Sequence, residues 1–133
     1  MLNKKHFLAK EGLSDLLSVA TYGNYWPAIK TYKSDAESGL FDDCDCCEDK
    51  WAVALIHGKG IVVYDRYGLG DAETEDEKEK ARHPITLDDV KKGLDLMRNL
   101  YPRHWADLVE EADDAITGDV WLQLTVFGEL IYG

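Results

Sequence analysis

Three cysteines lie within four residues. Cys44 and Cys47 form a C-x-x-C pair with Cys46 between them. Two thiolates at that spacing can hold one face of a tetrahedral zinc ion, and His57 is the nearest histidine to complete the set. A closed structural site needs four ligands, and no second C-x-x-C pair is present. The surrounding Asp42, Asp43, Asp45, Glu48 and Asp49 disfavour thiolate while attracting a cation. The competing reading is free thiols in a turn, with no cofactor. His104, Asp107 and Glu111 recur at i, i+3 and i+7, one face of a helix, where they would seed a metal or acid–base site. The same spacing is equally that of a solvated acidic face. Gly58-Lys59-Gly60 is a fragment of a phosphate loop without the rest of its frame, and reads as a turn. Tyr25 and Trp26 adjoin a Gly-Asn turn, and with Trp51, Trp105 and Trp121 offer faces for stacking a planar ligand; the bland alternative is core packing. No complete catalytic constellation is visible, so the expectation is a protein that is not an enzyme.

These residues sit in a chain of 133 with 26 acids against 15 bases, a net charge of -11. Such a balance opposes general nucleic-acid or anionic-membrane binding, both of which need basic surface. The excess is segregated. Residues 1–33 carry a net +3, residues 34–49 hold seven acids and no base, residues 50–103 cancel, and residues 104–133 hold seven acids and neither Lys nor Arg. Like charges at that density are spread into solvent or offered to a basic partner. No apolar run approaches the ~18 residues of a membrane span. The N-terminal Met1–Phe7 lacks the pattern of a signal peptide, and an odd number of cysteines points to a reducing compartment, so a cytoplasmic location is expected.

The elements that position these groups read as one α+β domain over 1–133. Leu13, Leu16, Leu17 and Ala20 predict a helix near 13–22, capped by Ser14 and ended by Gly23, with an earlier turn within 3–10. The stretches 34–49 and 66–83 read as acidic loops, the second alternatively as a frayed helix. The apolar run Trp51–Ile56 and the β-branched Ile61–Tyr64, joined through Gly58 and Gly60, predict a central β-hairpin over about 51–65, or a small antiparallel sheet. Thr86 caps a helix whose stripe is Leu87, Val90, Leu94, Met97 and Tyr101, and Pro102 stops it. A short helix follows near 103–112. The last segment fits a helix face through Val120, Leu124, Phe127 and Ile131, and a strand through Val120, Leu122, Leu124 and Val126. Length and the Thr117-Gly118-Asp119 opening favour a helix near 118–131 with Gly128 inside it. Gln123 and Glu129 would face solvent there; buried, they require partners such as Arg103, His104 or a backbone group.

Two stretches carry a family likeness. Tyr22-Gly23-Asn24-Tyr25-Trp26, and the ending from Asp114 through Asp119, Trp121 and Gln123 to Phe127-Gly128-Glu129-Leu130-Ile131-Tyr132-Gly133, together resemble a family of small acidic proteins encoded by bacteriophages and prophages. The resemblance implies provenance and a host cytoplasm, and brings no catalytic residues with it. Combined with the charge, it leads to the expectation of a non-enzymatic inhibitor of a host or anti-phage defence protein with a basic surface. Its contact acids would be Asp42, Asp43, Asp45, Glu48 and Asp49, or Glu110, Glu111, Asp113 and Asp114, mimicking nucleic-acid charge. The alternatives are a protein that sequesters a nucleotide signal in a pocket around Tyr25 and Trp26, and a zinc-binding domain built on Cys44, Cys46, Cys47 and His57.

Overall fold

A computed structural model describes residues 1–70, 72–112 and 114–132. A 3-10 turn at His6–Leu8 leads into helix α1 (Lys10–Thr21). Strand β1 (Pro27–Lys30), helices α2 (Lys33–Glu37) and α3 (Cys47–Ile56) and strand β2 (Ile61–Asp65) follow. Then come α4 (Arg66–Gly70), α5 (Glu75–Lys80), β3 (Arg82–Ile85), α6 (Leu87–Leu100), α7 (Pro102–Val109) and α8 (Ala115–Phe127). The fold is α+β: three antiparallel strands in the order β1-β2-β3, with the helices around them. Val63 at the centre of β2 faces Ile29 on one side and His83 on the other. No helix among the described residues is long and apolar enough to cross a membrane.

The terminal segment is helical, because Val120, Trp121, Leu122, Gln123, Leu124 and Thr125 are buried in succession and only an element covered on every side accommodates that. It packs between α1 and α6. Gly118 and Gly93 make those approaches possible. A Cβ on Gly118 would lie 2.6 Å from the Ala20 backbone nitrogen, and one on Gly93 would overlap the Thr125 side chain. The stripe of α6 is buried as its spacing predicts, with Val90, Leu94 and Met97 in the core and Leu87 and Tyr101 at its margin. Thr86 and Asp89 close a reciprocal capping box at its start.

Four sequence expectations need correction. Residues 51–56 are not a strand of a hairpin with 61–65 but the end of α3. A six-residue apolar run carries no decisive period. The helix begins earlier, at Cys47, where Glu48 and Asp49 favour its positive end. Gly58 and Gly60 do take positive φ, in a helix-to-strand turn, while the partners of β2 come from 27–30 and 82–85. The stretch 34–49 is not a plain loop, since α2 and the start of α3 lie within it, and over 66–83 the helical alternative holds, in α4 and α5. Ser14 does not cap α1, which starts at Lys10 and buries Ser14 in its second turn. Gly128 is not inside α8 but ends it, in the left-handed conformation at φ +76.

Candidate functional site

On α1, Glu11 and Asp15 lie one turn apart and are exposed, while Leu13, Leu16 and Leu17 turn into the core. Ser14 stands beside that exposed stripe. Its hydroxyl donates to the Asp49 carboxylate at 2.7 Å, which fastens the first turn of α3 to α1. That hydrogen bond, reinforced by Lys10, holds the Asp49 carboxyl below its ordinary value against the opposing effect of burial. Asp42, Asp43 and Asp45 precede this turn and are exposed, and Glu48 is half-buried.

On the other side, Asp15 and Glu111 border one small cleft with Leu16 and Leu108. Glu111 is held there by the way α7 ends. The Ala112 N–H donates to the Asp107 carbonyl at 2.8 Å and the Glu111 N–H to the Leu108 carbonyl at 3.2 Å. This is a Schellman closure, whose left-handed position is normally glycine. Glu111 occupies it at φ 61, and is the one non-glycine residue with positive φ among those described. An acid therefore stands where the backbone prefers glycine. Glu110 is exposed beside it. Asp114 is also exposed, but its Oδ1 accepts from the Ile116 and Thr117 N–H groups and caps α8. Asp113 lies outside the described residues. The two acidic blocks, more than sixty residues apart in the chain, thus flank α1, and Glu11 and Asp15 lie between them.

The other sequence candidates are redistributed. Cys44 is half-buried, and Cys46 and Cys47 are exposed at the start of α3. His57 caps the opposite end of that helix, roughly 15 Å away at 1.5 Å per residue, so it does not join the cysteines. A backbone hydrogen bond from Asp49 pulls the Cys46 thiol down, but burial and the Glu48 and Asp49 carboxylates outweigh it and leave the thiol above its ordinary value. No group of three metal-ligating side chains occurs among the described residues. His104 turns its Nδ1 to the Thr117 hydroxyl at 3.4 Å, and Glu111 lies beyond the end of α7, so the expected His104–Asp107–Glu111 helix face does not exist.

Tyr25 and Trp26 do not form a slot. Trp26 is buried, with its ring against Phe127 and Tyr132 at 5.2 and 5.8 Å, and its Nε1–H donates to Asp119 Oδ1 at 2.6 Å. Tyr25 is exposed, with the Arg66 guanidinium 5.4 Å and the Tyr67 ring 5.5 Å from its own. Gln123 does not face solvent either. Its Nε2 donates to Asp119 Oδ2 and to the Tyr132 carbonyl, and its Oε1 accepts from the Ile131 and Tyr132 N–H groups. The Tyr132 hydroxyl donates to Asp65 at 2.5 Å. Asn24 Nδ2 donates to the Ala115 carbonyl at 3.1 Å. The segment Tyr22–Trp26 and the C-terminal ending therefore meet in space, as a latch that fastens the C-terminal tail to α8, β2 and the turn before β1. Asp65, buried in β2, was not singled out by the sequence; an acid ending a β-branched run was its only signal. Comparison of the chain with known protein families, with characterised proteins and with solved structures returns no match.

Proposed function

We propose that this is a non-enzymatic, phage-encoded acidic protein that binds a host or anti-phage defence protein at a basic, nucleic-acid-binding surface, with carboxylates standing where phosphates would. The observation that carries the reading is Glu111, an acid kept at a left-handed backbone position beside Asp15. Residues held at such backbone positions cluster at functional sites. Charge placement supports it: Asp49 is tied to Ser14 of α1 and Glu111 shares a cleft with Asp15 of α1, so both acidic blocks meet that helix. A predominantly acidic face attracts a basic cleft at long range and loses that attraction as salt shortens the Debye length. The phage origin rests on the sequence resemblance.

The test is a pull-down from bacterial lysate at low and high salt, with mass spectrometry of captured proteins and small molecules. The expected partner binds nucleic acid, is released by salt and competed off by duplex DNA, and is lost when Asp15, Glu110 and Glu111 are changed to Lys. A partner retained at high salt by that variant refutes the charge mechanism. Co-purification of a small molecule without any basic partner refutes the reading as a whole.

A further inference from the structure

A cavity of about 460 Å3 gathers cations in a chain whose net charge is negative. One wall is the N-terminal segment, with Leu2, Lys4 and Lys5; another is the last turn of α6, with Arg98; Trp105 and Val109, one turn apart on α7, complete it. In a chain of net charge -11, three of the lining side chains are cations, and no carboxylate lines the cavity among the described residues. The walls are fixed. The Leu2 N–H donates to the Val109 carbonyl at 2.7 Å, Lys4 Nζ pairs with Asp95 at 2.7 Å, and Phe7 meets the edge of Trp105 at 6.3 Å between ring centres. Asp95 neutralises and orients Lys4, which leaves Lys5 and Arg98 as the cations without an ion pair among the described residues.

We propose that this cavity binds a planar aromatic anion of the nucleoside monophosphate class, with the base against the Trp105 indole and the phosphate between Lys5 and Arg98. The volume lies within the ordinary range for small-molecule sites, and the apolar lining with a few convergent charges is their usual composition. An indole gives a base a stacking face, and stacking tolerates any base. A guanidinium and an ammonium on separate walls suit a phosphate, the first as a fork and the second as a point charge. The acidic stretches repel such a ligand, whereas a cation-lined cavity attracts it. The inference is independent of the acidic face around α1.

The experiment uses the whole chain and AMP as the probe, with adenosine, ribose 5-phosphate and inorganic phosphate as comparisons. Binding is followed by calorimetry and by amide and indole NMR shifts. AMP is expected to bind at least about tenfold tighter than any of the three fragments. The largest shifts should fall on Lys5, Arg98 and the Trp105 indole, and affinity should decline with salt. Lys5→Ala with Arg98→Ala, both exposed and away from the core, should weaken AMP at least about tenfold. Trp105→Phe, which keeps a ring against Phe7, should weaken AMP and leave inorganic phosphate unchanged. The proposal is overturned if AMP is no tighter than inorganic phosphate, if shifts centre on Tyr25 and Tyr67 instead, if the double variant binds AMP as well as the parent, or if millimolar AMP leaves every signal unmoved.

Discussion

Replacing Glu111 with glycine should make the protein more stable while weakening the activity proposed for it. At φ 61 the Glu111 Cβ is in the left-handed region, which costs an L-residue roughly 1–2 kcal/mol. Glycine removes that cost but adds unfolded-chain freedom worth about 0.4–1 kcal/mol. Both hydrogen bonds of the Schellman closure are made by backbone groups, so they survive the change. The side chain is exposed, so little packing is lost. The net spans about 0–1.6 kcal/mol, a gain centred near 0.8 kcal/mol, or roughly 3–4 °C in melting temperature for a chain of this size. Urea unfolding and calorimetry at neutral pH measure it. Glu111→Ala is the control: it also removes the charge beside Asp15 but keeps a Cβ in the left-handed region. Glycine should therefore exceed alanine by most of the gain. If alanine stabilises as much as glycine, charge repulsion rather than backbone strain is responsible, and the argument that Glu111 is held against its backbone preference collapses. A glycine variant less stable than the parent refutes the conformational reading as directly. In the pull-down, the stabilised glycine variant should retain less of a salt-sensitive partner than the parent does.

Four further outcomes follow from the packing and the ionisations. Gly118→Ala should destabilise by about 3 kcal/mol or abolish folding, because the new Cβ meets the α1 backbone at Val19 and Ala20 rather than a movable side chain; a loss under about 1 kcal/mol would mean that α1 and α8 separate easily. Gln123→Ala should free the tail, seen as fast hydrogen exchange at the Ile131 and Tyr132 amides with a global loss of about 1–3 kcal/mol. Unchanged protection at those amides would show that Gln123 is not the latch. Ser14→Ala removes the hydroxyl that holds Asp49 ionised. A depressed carboxyl pKa stabilises the fold above its unfolded value and loses that effect as pH falls through the folded one. The variant should thus be less stable at neutral pH, with the gap to the parent narrowing below about pH 4 in urea midpoints. His83 is held below the ordinary histidine value by burial, against a smaller upward pull from Asp65. Folding favours its neutral form, so the parent should lose stability as pH falls below about 6.5, and His83→Gln should flatten that slope.

What could be read from the chain was whatever a single element decides alone. The 3-4-3-4 spacing of Leu87, Val90, Leu94, Met97 and Tyr101 and the Thr86 cap define α6 within one turn of chain, and Leu13, Leu16, Leu17 and Ala20 define α1 in the same way, because helix hydrogen bonds close over four residues. The α+β class and the two acidic blocks were legible for the same reason: they depend on composition and local pattern. Residues 51–56 were misread because six apolar residues suit a strand and a buried helix equally. The choice fell to β1 and β3, which lie 34 and 20 residues from β2 in register at Val63 and pair with it by contacts no local window contains. Gln123 and Asp65 were illegible as buried groups because the tail must fold back to satisfy them: its backbone returns over eight or nine residues to Gln123, and Tyr132 crosses 67 residues to Asp65. The acidic face around α1 is likewise a product of packing: Ser14 draws one acidic block to the helix and the end of α7 brings the other. The cavity at Trp105 exists only because Leu2 and Lys4 are fastened to Val109 and Asp95 across most of the chain. Short-range geometry follows from residue order, whereas burial and the meeting of charges depend on which elements touch, and that is fixed only when the whole core closes.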